Sequence, residues 1–142
     1  MNKAEEKIKQ PYLIEFPVIG EPSTGFISVA EGKRIAPFEV KRVFWTYDTP
    51  ESIVRGRHAH YETEQIIIAV MGRILVTTEH VDGKVDVFVL DRPGKGVYVP
   101  PNVWHTMQYY LSAVQMVLAS TEYQAEDYIR DYTQFKSIWK KR

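Results

Sequence analysis

The succession of short β-forming segments constrains the fold of this chain more than any other feature. Between about residues 25 and 120, strand-length apolar runs rich in β-branched and aromatic residues follow one another. These runs are GFISVA, FEVKRVFWTY, EQIIIAVMG, RILVTTEHV, KVDVFVL, GVYVP and AVQMVLAS. Turn-forming residues separate them, as at Asp82-Gly83 and Pro100-Pro101-Asn102. Many short strands at this spacing predict an antiparallel β-sandwich or barrel.

The ends of the chain differ from this central part. Residues 1–10 are mostly polar and we expect them to be flexible, whereas residues 11–142 have the length of one domain. Near the C-terminus the apolar spacing changes to that of one helix face, at Tyr128, Ile129, Tyr132, Phe135 and Trp139. We therefore predict a C-terminal helix. Its aromatic face should pack on the barrel or on a partner subunit, without a role in chemistry.

Charge and composition narrow the classes of partner. Lys and Arg total 18 and so do Asp and Glu, so no general attraction to nucleic acid or to an anionic membrane is expected. The chain has no cysteine, which leaves His, Asp, Glu and Tyr for chemistry. No stretch has the roughly 20 apolar residues needed to cross a bilayer. These features predict a cytoplasmic protein.

Two histidine-containing segments carry the candidate chemistry. In the first, His58, His60 and Glu64 are spaced so that a continuous strand would place them on one face. The second runs from Gly94 to Pro100 and on to His105. Three imidazoles and one carboxylate suit either acid–base catalysis or a transition metal such as iron, manganese, nickel or zinc. His80 stands apart from both segments, and we expect it to be exposed and uninvolved.

These segments resemble the two cupin motifs. The first motif is His-x-His, three residues, Glu and a later Gly, here Gly72, and the second combines Gly, Pro and a distal His. Asn102 stands where the second motif usually has Gly, and Tyr109 where it often has Asn. The resemblance implies an all-β fold, a cupin-type antiparallel β-barrel or jelly roll, followed by the C-terminal helix.

A closer resemblance covers about residues 25–138. The segments Arg55-Gly56-Arg57-His58-Ala59-His60, Glu64-Gln65 and Tyr128-Ile129-Arg130 look like those of the sugar 3,4-ketoisomerases. These cupins move the keto group of thymidine-diphosphate-linked 4-keto-6-deoxyglucose from C4 to C3. The resemblance implies an isomerase without metal or cofactor, commonly a homodimer, that acts in deoxyamino-sugar biosynthesis for polysaccharides.

Within this resemblance we assign roles to residues. His58 and His60 are the predicted acid–base pair, with His60 the main proton carrier, and His105 and Tyr98 are predicted hydrogen-bond donors to the sugar. The other predicted substrate-binding residues are Arg42, Arg55 and Arg57 for the diphosphate, Trp45 and Tyr47 for stacking on thymine or for the core, Glu64, and Asn102.

Two departures from the family pattern keep alternatives open. Thr24 replaces an arginine that often precedes the early Gly25, and Trp45 stands where a tyrosine is usual. A non-catalytic module that binds nucleotide sugars is therefore one alternative. A metal-dependent cupin enzyme, such as a dioxygenase, is the other.

Overall fold

The structure of this protein is a computed structural model that describes residues 9–140, apart from the side chains of Lys33, Arg34, Trp139 and Lys140. The strands are β1 (Tyr12–Glu15), β2 (Val18–Glu21), β3 (Gly25–Ser28), β4 (Arg42–Thr46), β5 (Val54–His60), β6 (Gln65–Glu79), β7 (Val85–Leu90), β8 (Lys95–Val99), β9 (Trp104–Ala119) and β10 (Tyr128–Ile129). The helices are α1 (Gly32–Ile35) and α2 (Tyr132–Lys140), and Ala125–Asp127 forms a 3₁₀ turn.

Two long strands organise the barrel. β6 and β9 pair antiparallel along most of their length, and β8, β5 and β10 extend the sheet in the order β1-β8-β6-β9-β5-β10. β4 also pairs with β9, and β7 with β6. The β6–β9 register shifts between Ala69 and Arg73, where Gly72 has φ +74° and lies so close to β9 that a Cβ would be 2.6 Å from the Ala113 Cα. This irregularity divides the sheet into the two halves of the barrel.

Both faces of the first half of β6 are buried, which explains its continuous apolar run. Ile67 and Ala69 face the barrel interior with Val97 and Val117, whereas Ile66 and Ile68 pack outside. The outer cluster consists of Ile14, Phe16, Ala36, Phe38, Ile66, Ile68, Tyr98 and Leu118. The predicted all-β barrel of the cupin type with a C-terminal helix is confirmed.

Helix α2 lies against the strand that carries the histidine pair. Phe135 is fully buried with Ala59 and Ile129. The prediction that Tyr128 and Ile129 begin the helix is wrong, because they form β10 and pair with His60 and Ala59 of β5. The Trp139 side chain lies outside the described part of the structure. Through Ala59, the helix supports the strand between His58 and His60.

The predicted flexible segment, residues 1–10, stays a prediction. Residues 1–8 lie outside the described range, but the Lys9 Nζ lies 2.9 Å from the Glu64 Oε1 and Gln10 contacts His80. His80 is only 3% exposed and lies 3.2 Å from the Asp82 carboxylate, so the expectation that it is exposed is wrong. No helix within residues 9–140 is both long and apolar enough to cross a membrane.

Candidate functional site

A β-bulge in β5 determines which residues enter the barrel. Arg55 pairs with Met107 and Gly56 with Thr106, but the next partner, His105, pairs with His58. Arg57 is therefore an extra residue, with φ +57°. Because the bulge shifts the alternation by one, both Arg55 and His58 line the interior, whereas Arg57 is exposed. Gly56, at φ +85°, allows the close approach, since a Cβ there would be 2.8 Å from the His105 carbonyl oxygen.

Three imidazoles meet at the mouth of the barrel. The His58 ring centroid lies 4.7 Å from that of His105 and 5.0 Å from that of His60. The His60 and His105 centroids are 5.8 Å apart, and candidate ligand nitrogens of all three lie within 4.8 Å of one another. The sequence prediction that His58 and His60 share one face with His105 nearby therefore describes the geometry.

Backbone carbonyls fix two of these rings. The His58 Nδ1 lies 3.0 Å from the Gly56 carbonyl oxygen and the His105 Nδ1 lies 3.1 Å from that of Val103. Because a carbonyl can only accept, each Nδ1 donates its proton and each Nε2 of the neutral ring is left as an acceptor. The buried Nε2 atoms of His60 and His105 have no hydrogen-bond partner among the described residues. The predicted role of His105 as a donor is thus opposed by this tautomer.

Burial keeps all three histidines neutral. It is the largest cause that lowers the pKa of His58 to about 4, helped by the neighbouring His60. Burial and then His105 lower the pKa of His60 to about 3, against an opposing effect of Asp127. Burial and then His58 lower the pKa of His105 to about 3. The cluster at neutral pH is therefore a set of uncharged proton acceptors.

His58 and His105 line a cavity of about 240 Å³ inside the barrel, and His60, whose ring lies beside both of theirs, is not among its lining residues. Its apolar wall includes Phe44, Ile67 and Val117. Its polar lining residues, besides the histidines, are Thr46, Arg55, Gln65, Tyr109, Gln115, Tyr128 and Arg130. A hexose ring fits such a space, but a whole nucleotide sugar needs the larger volume typical of drug-sized ligands, so its remainder would extend through the mouth.

Sequence reasoning missed several of these lining residues. Tyr128 was assigned to a non-functional helix face, yet its ring lies 4.5 Å from that of His60 and 5.1 Å from that of His58. Arg130 lies over the Tyr128 ring at 4.3 Å. Gln65 and Gln115 are buried in the cavity wall. The Tyr-Ile-Arg segment was a signal for the first two and the Glu64-Gln65 segment for Gln65, whereas nothing in the sequence set Gln115 apart.

Three arginines surround the mouth of the cavity. Arg55 and Arg130 line it, and Arg42 lies close enough to His60 to lower the pKa of that ring. The buried Nε of Arg42 has no hydrogen-bond partner in the part of the chain that the structure describes. None of the three forms an ion pair with a residue in the range 9–140. Arg57, the exposed bulge residue, is not part of the lining.

Glu64 and Tyr98 do not join the histidines. The Tyr98 hydroxyl donates to the Glu64 carboxylate at 2.5 Å, and Tyr98 packs in the outer cluster while Val97 and Val99 face the interior. The predicted convergence of Glu64 with His58 and His60 is wrong because β5 ends at His60 and a turn precedes β6. Strand alternation therefore stops before it reaches Glu64.

The remaining predicted residues also lie outside the cavity lining. Trp45, on the outer face of β4, and Tyr47, directly after β4, are 63% and 60% exposed, whereas Phe44 and Thr46 line the cavity. They neither fill the core nor face the cavity. Asn102, at φ +60°, takes the left-handed conformation that Gly usually provides in this motif, and its N–H donates to the His60 carbonyl at 2.7 Å.

The same site could in principle bind a metal ion through its imidazoles. His58, His60 and His105 form the one group of three or more potential ligands found among the described residues. Neutral imidazole nitrogens are suitable ligands for zinc, iron and nickel. Because Glu64 is paired with Tyr98, the four-ligand set considered from the sequence is not assembled.

Comparison with known proteins agrees with this geometry. Residues 9–140 match the family described as "FdtA: WxcM-like, C-terminal". The chain is 40% identical over 126 residues to the TDP-4-oxo-6-deoxy-alpha-D-glucose-3,4-oxoisomerase of Aneurinibacillus thermoaerophilus, covering 87% of this chain and 88% of that protein.

Solved structures give the same result. The sugar 3,4-ketoisomerase QdtA of Thermoanaerobacterium thermosaccharolyticum, in complex with TDP, superposes with a TM-score of 0.86 at 32% identity, over 92% of this chain and 95% of that one. The TDP-quinovose 3,4-ketoisomerase WlaRB of Campylobacter jejuni superposes with a TM-score of 0.84 at 32% identity, over 92% and 99%. The predicted resemblance is confirmed: this chain belongs to the FdtA family of cupin-fold proteins, whose characterised relatives here are sugar 3,4-ketoisomerases.

Proposed function

We propose that this protein is a nucleotide-sugar 3,4-ketoisomerase in deoxysugar biosynthesis that converts TDP-4-keto-6-deoxyglucose to a TDP-3-keto-6-deoxyhexose. The observation that carries the proposal is a cluster of three neutral imidazoles in which His58 and His105 line a sugar-sized cavity, while the buried Nε2 atoms of His60 and His105 have no partner among the described residues. The relatives at 40% and 32% identity, named as isomerases acting on this class of sugar, support it. The stereochemistry at C4 of the product is left open.

The reaction needs a base that is neutral before it acts. The C3–H proton passes to the base, an enediolate forms across C3 and C4, and a proton is delivered to C4 while the C3 hydroxyl proton is transferred to the C4 oxygen. We assign the base to His60, because its Nε2 is buried and unpartnered and its low pKa keeps it unprotonated at neutral pH. The negative charge of the substrate would raise the pKa of His60 in the complex.

His58 and His105 would hold the sugar rather than donate to it. Their Nε2 atoms are acceptors, so each can receive a hydrogen bond from a sugar hydroxyl. A role for a histidine in the reaction is supported by the structure of a histidine-to-asparagine mutant of QdtA in complex with TDP-4-keto-6-deoxyglucose. That protein is 31% identical to this chain, over 96% of this chain and 98% of that one.

Arg42, Arg55 and Arg130 are the proposed anion-binding groups. They bring positive charge to the cavity mouth without an acidic partner among the described residues. The diphosphate would satisfy their donors with charge-assisted hydrogen bonds, and the same field would stabilise the enediolate. Arg130 replaces Arg57 in this assignment, because Arg130 lines the cavity and Arg57 does not.

The experiment that tests the reaction is incubation of the purified protein with TDP-4-keto-6-deoxyglucose in deuterated water. We expect deuterium incorporation and a new 3-keto product, both observed by NMR. Saturable binding of the nucleotide sugar without exchange or product would instead identify the non-catalytic binding module. Treatment with a chelator, combined with metal analysis, tests the metal-free reaction: activity should be unchanged, and loss that is restored by one metal would identify a metal-dependent enzyme.

We further propose a homodimer formed through the outer face of the sheet. The β2–β3 hairpin pairs only with itself and all eight of its residues are exposed, although an isolated two-stranded sheet is marginally stable. It borders an apolar groove of about 790 Å³, lined in part by Phe26, Val43 and Met116. A second copy of the chain would cover this surface together with Trp45. The predicted cytoplasmic location stays a prediction.

Light scattering on the eluting protein tests the dimer. The wild type should have twice the mass of one chain, and Trp45→Glu, which places a charge on the outer face of β4, should shift it toward the monomer. The control is Val87→Glu on β7, which is 59% exposed and outside the groove, and this variant should remain dimeric. A monomeric wild type at micromolar concentration would contradict the proposal.

A further inference from the structure

A buried carboxylate stands behind the turn that follows His60. Asp127 ends the 3₁₀ turn before β10 and is 8% exposed. Its Oδ1 accepts the Glu62 N–H at 2.7 Å, and its Oδ2 accepts the Thr63 N–H at 3.2 Å and the Thr63 hydroxyl. One side chain therefore satisfies three donors of the segment that connects the catalytic strand β5 to β6.

The backbone of the same residue continues this attachment. The Asp127 carbonyl accepts the Tyr61 N–H at 3.0 Å, and the next residue, Tyr128, pairs directly with His60. From the other side, Asn102 donates its N–H to the His60 carbonyl. The carboxylate of Asp127 is thus the side-chain part of a backbone frame that holds His60 on both sides.

Among the described residues, Asp127 is also the one carboxylate whose charge raises the pKa of His60. The groups that face His60 are His58 on β5, His105 on β9, Arg42 on β4, Tyr128 on β10 and Arg130 directly after β10. Of these, His105, Arg42 and Arg130 lower the pKa of His60. A negative charge there stabilises the imidazolium that forms when His60 takes a proton.

We propose that Asp127 is the positioning residue of His60: it fixes the turn that directly follows His60 and supplies the negative charge that balances the ring when it is protonated. This inference rests on the proposed function for the role of His60. It assigns to Asp127 no contact with the substrate. It predicts effects on the rate of proton transfer and on its pH dependence, with little effect on binding.

The test is Asp127→Asn, compared with Asp131→Asn. The first keeps the shape but removes the charge and turns one acceptor into a donor facing an N–H. The second makes the same change four residues later, at an exposed aspartate whose Oδ1 accepts the Gln134 N–H at the start of α2. For Asp127→Asn we expect kcat to fall roughly 10- to 100-fold with KM within about threefold. The acid limb of kcat/KM should move to lower pH, because the charge that raises the pKa of His60 is gone.

Asp131→Asn should leave kcat, KM and the pH profile unchanged, with at most a lower Tm. If Asp127→Asn also lowers only the Tm, leaving kcat and the acid limb as in the wild type, the proposal is overturned. Thr63→Val covers the case in which Asp127→Asn does not fold. It removes one donor to Asp127 but keeps the charge, so kcat should fall while the acid limb stays in place, and an unchanged kcat would contradict the positioning role.

A measurement that needs no turnover separates this inference from the proposed function. Titration of His60 by ¹⁵N NMR should give a lower pKa in Asp127→Asn than in the wild type, whether or not the protein isomerises the sugar. If the wild type shows no exchange at all, the proposed function fails, but the titration still reports on Asp127. An unchanged His60 pKa in an active protein would refute the electrostatic part of the proposal alone.

Discussion

The two faces of the same sheet differ in whether their buried polar side chains are hydrogen-bonded. On the inner face, the Nε2 atoms of His60 and His105 are buried and have no partner within the described range 9–140. On the outer face, the Tyr98 hydroxyl and the Glu64 carboxylate are paired with each other, and Lys9 adds a further contact to Glu64. Both pairs derive from the same two sequence motifs, so motif membership alone does not separate them.

Whether the buried polar atoms already have hydrogen-bond partners is what distinguishes a reactive site from a supporting one. A buried polar atom without a partner costs about 1–3 kcal/mol, and a fold retains such a cost where a ligand will complete the group. A buried hydroxyl and carboxylate that already bind each other need no ligand to explain them. We therefore expect chemistry at His60 and stability at Tyr98, and the following predictions test that contrast.

The largest effect is expected from His60→Asn. The amide keeps part of the ring volume and polarity but cannot carry the proton, so kcat should fall about 10²- to 10⁴-fold. Deuterium exchange into the substrate should fall with it, as followed by NMR. His80→Asn is the matched control, since His80 is about as buried as His60 but lies outside the cluster of three imidazoles, and its kcat should stay within about threefold of the wild type. If the His60→Asn enzyme were active, the base would have to be another residue.

A second comparison is between an arginine that lines the cavity and one that does not. Arg130→Met removes a charge from the cavity mouth and should raise KM about 10- to 100-fold with a smaller change in kcat, since a charge-assisted hydrogen bond is worth about 1.5–3 kcal/mol. Arg57→Met removes a charge from the exposed bulge, and steady-state kinetics should show less than a threefold change. Equal effects of the two substitutions would mean that the diphosphate passes over the bulge.

The pH dependence of stability tests the neutral state of the histidines. Their pKa values in the fold lie below the ordinary 6.5, so the unfolded chain binds protons first and the fold loses stability as the pH falls below 6.5. Each ring should cost about 2 kcal/mol between pH 7 and pH 5. Urea denaturation should show a loss between these pH values that is smaller by about this amount in His60→Asn. A loss as large as in the wild type would mean that His60 does not contribute to it, and that its pKa is not lowered in the fold.

Much of the fold was predictable because period and turn chemistry are local. The alternating runs gave the strands, and the His58-x-His60 spacing gave the ring pair. The position of Glu64 was not predictable from alternation, because it lies beyond the turn that the Asp127 carboxylate holds, and that contact spans more than sixty residues of sequence. Tyr128 was misassigned because its apolar spacing fits a helix face, whereas pairing with β5 makes it a strand.

The bulge in β5 shows a second kind of limit on sequence reasoning. Arg55 and Arg57 look equivalent in a strict alternation, yet the extra residue at Arg57 sends one side chain into the cavity mouth and the other to solvent. Glycine readily adopts the positive φ observed at Gly56, so the residue type fits the bulge. The bulge itself, however, depends on the close approach of the His105 backbone. Such a contact arises only when the distant strand β9 is in place.

The smallest effect, and the most direct test of the contrast between the two faces, is expected from removing one hydroxyl on each. Tyr98→Phe leaves Glu64 with Lys9 and should lower stability by about 1 kcal/mol, with kcat/KM within about twofold of the wild type. Tyr109→Phe makes the same change inside the cavity, where the hydroxyl donates to the Gln115 Oε1 at 3.2 Å. Loss of this bond frees the amide that faces the sugar, so kcat/KM should fall about fivefold, equivalent to about 1 kcal/mol.

Urea denaturation and steady-state kinetics on both variants measure the two quantities independently. If Tyr98→Phe lowered kcat/KM more than Tyr109→Phe does, the outer pair would take part in the reaction, because a supporting residue cannot outweigh one that lines the cavity.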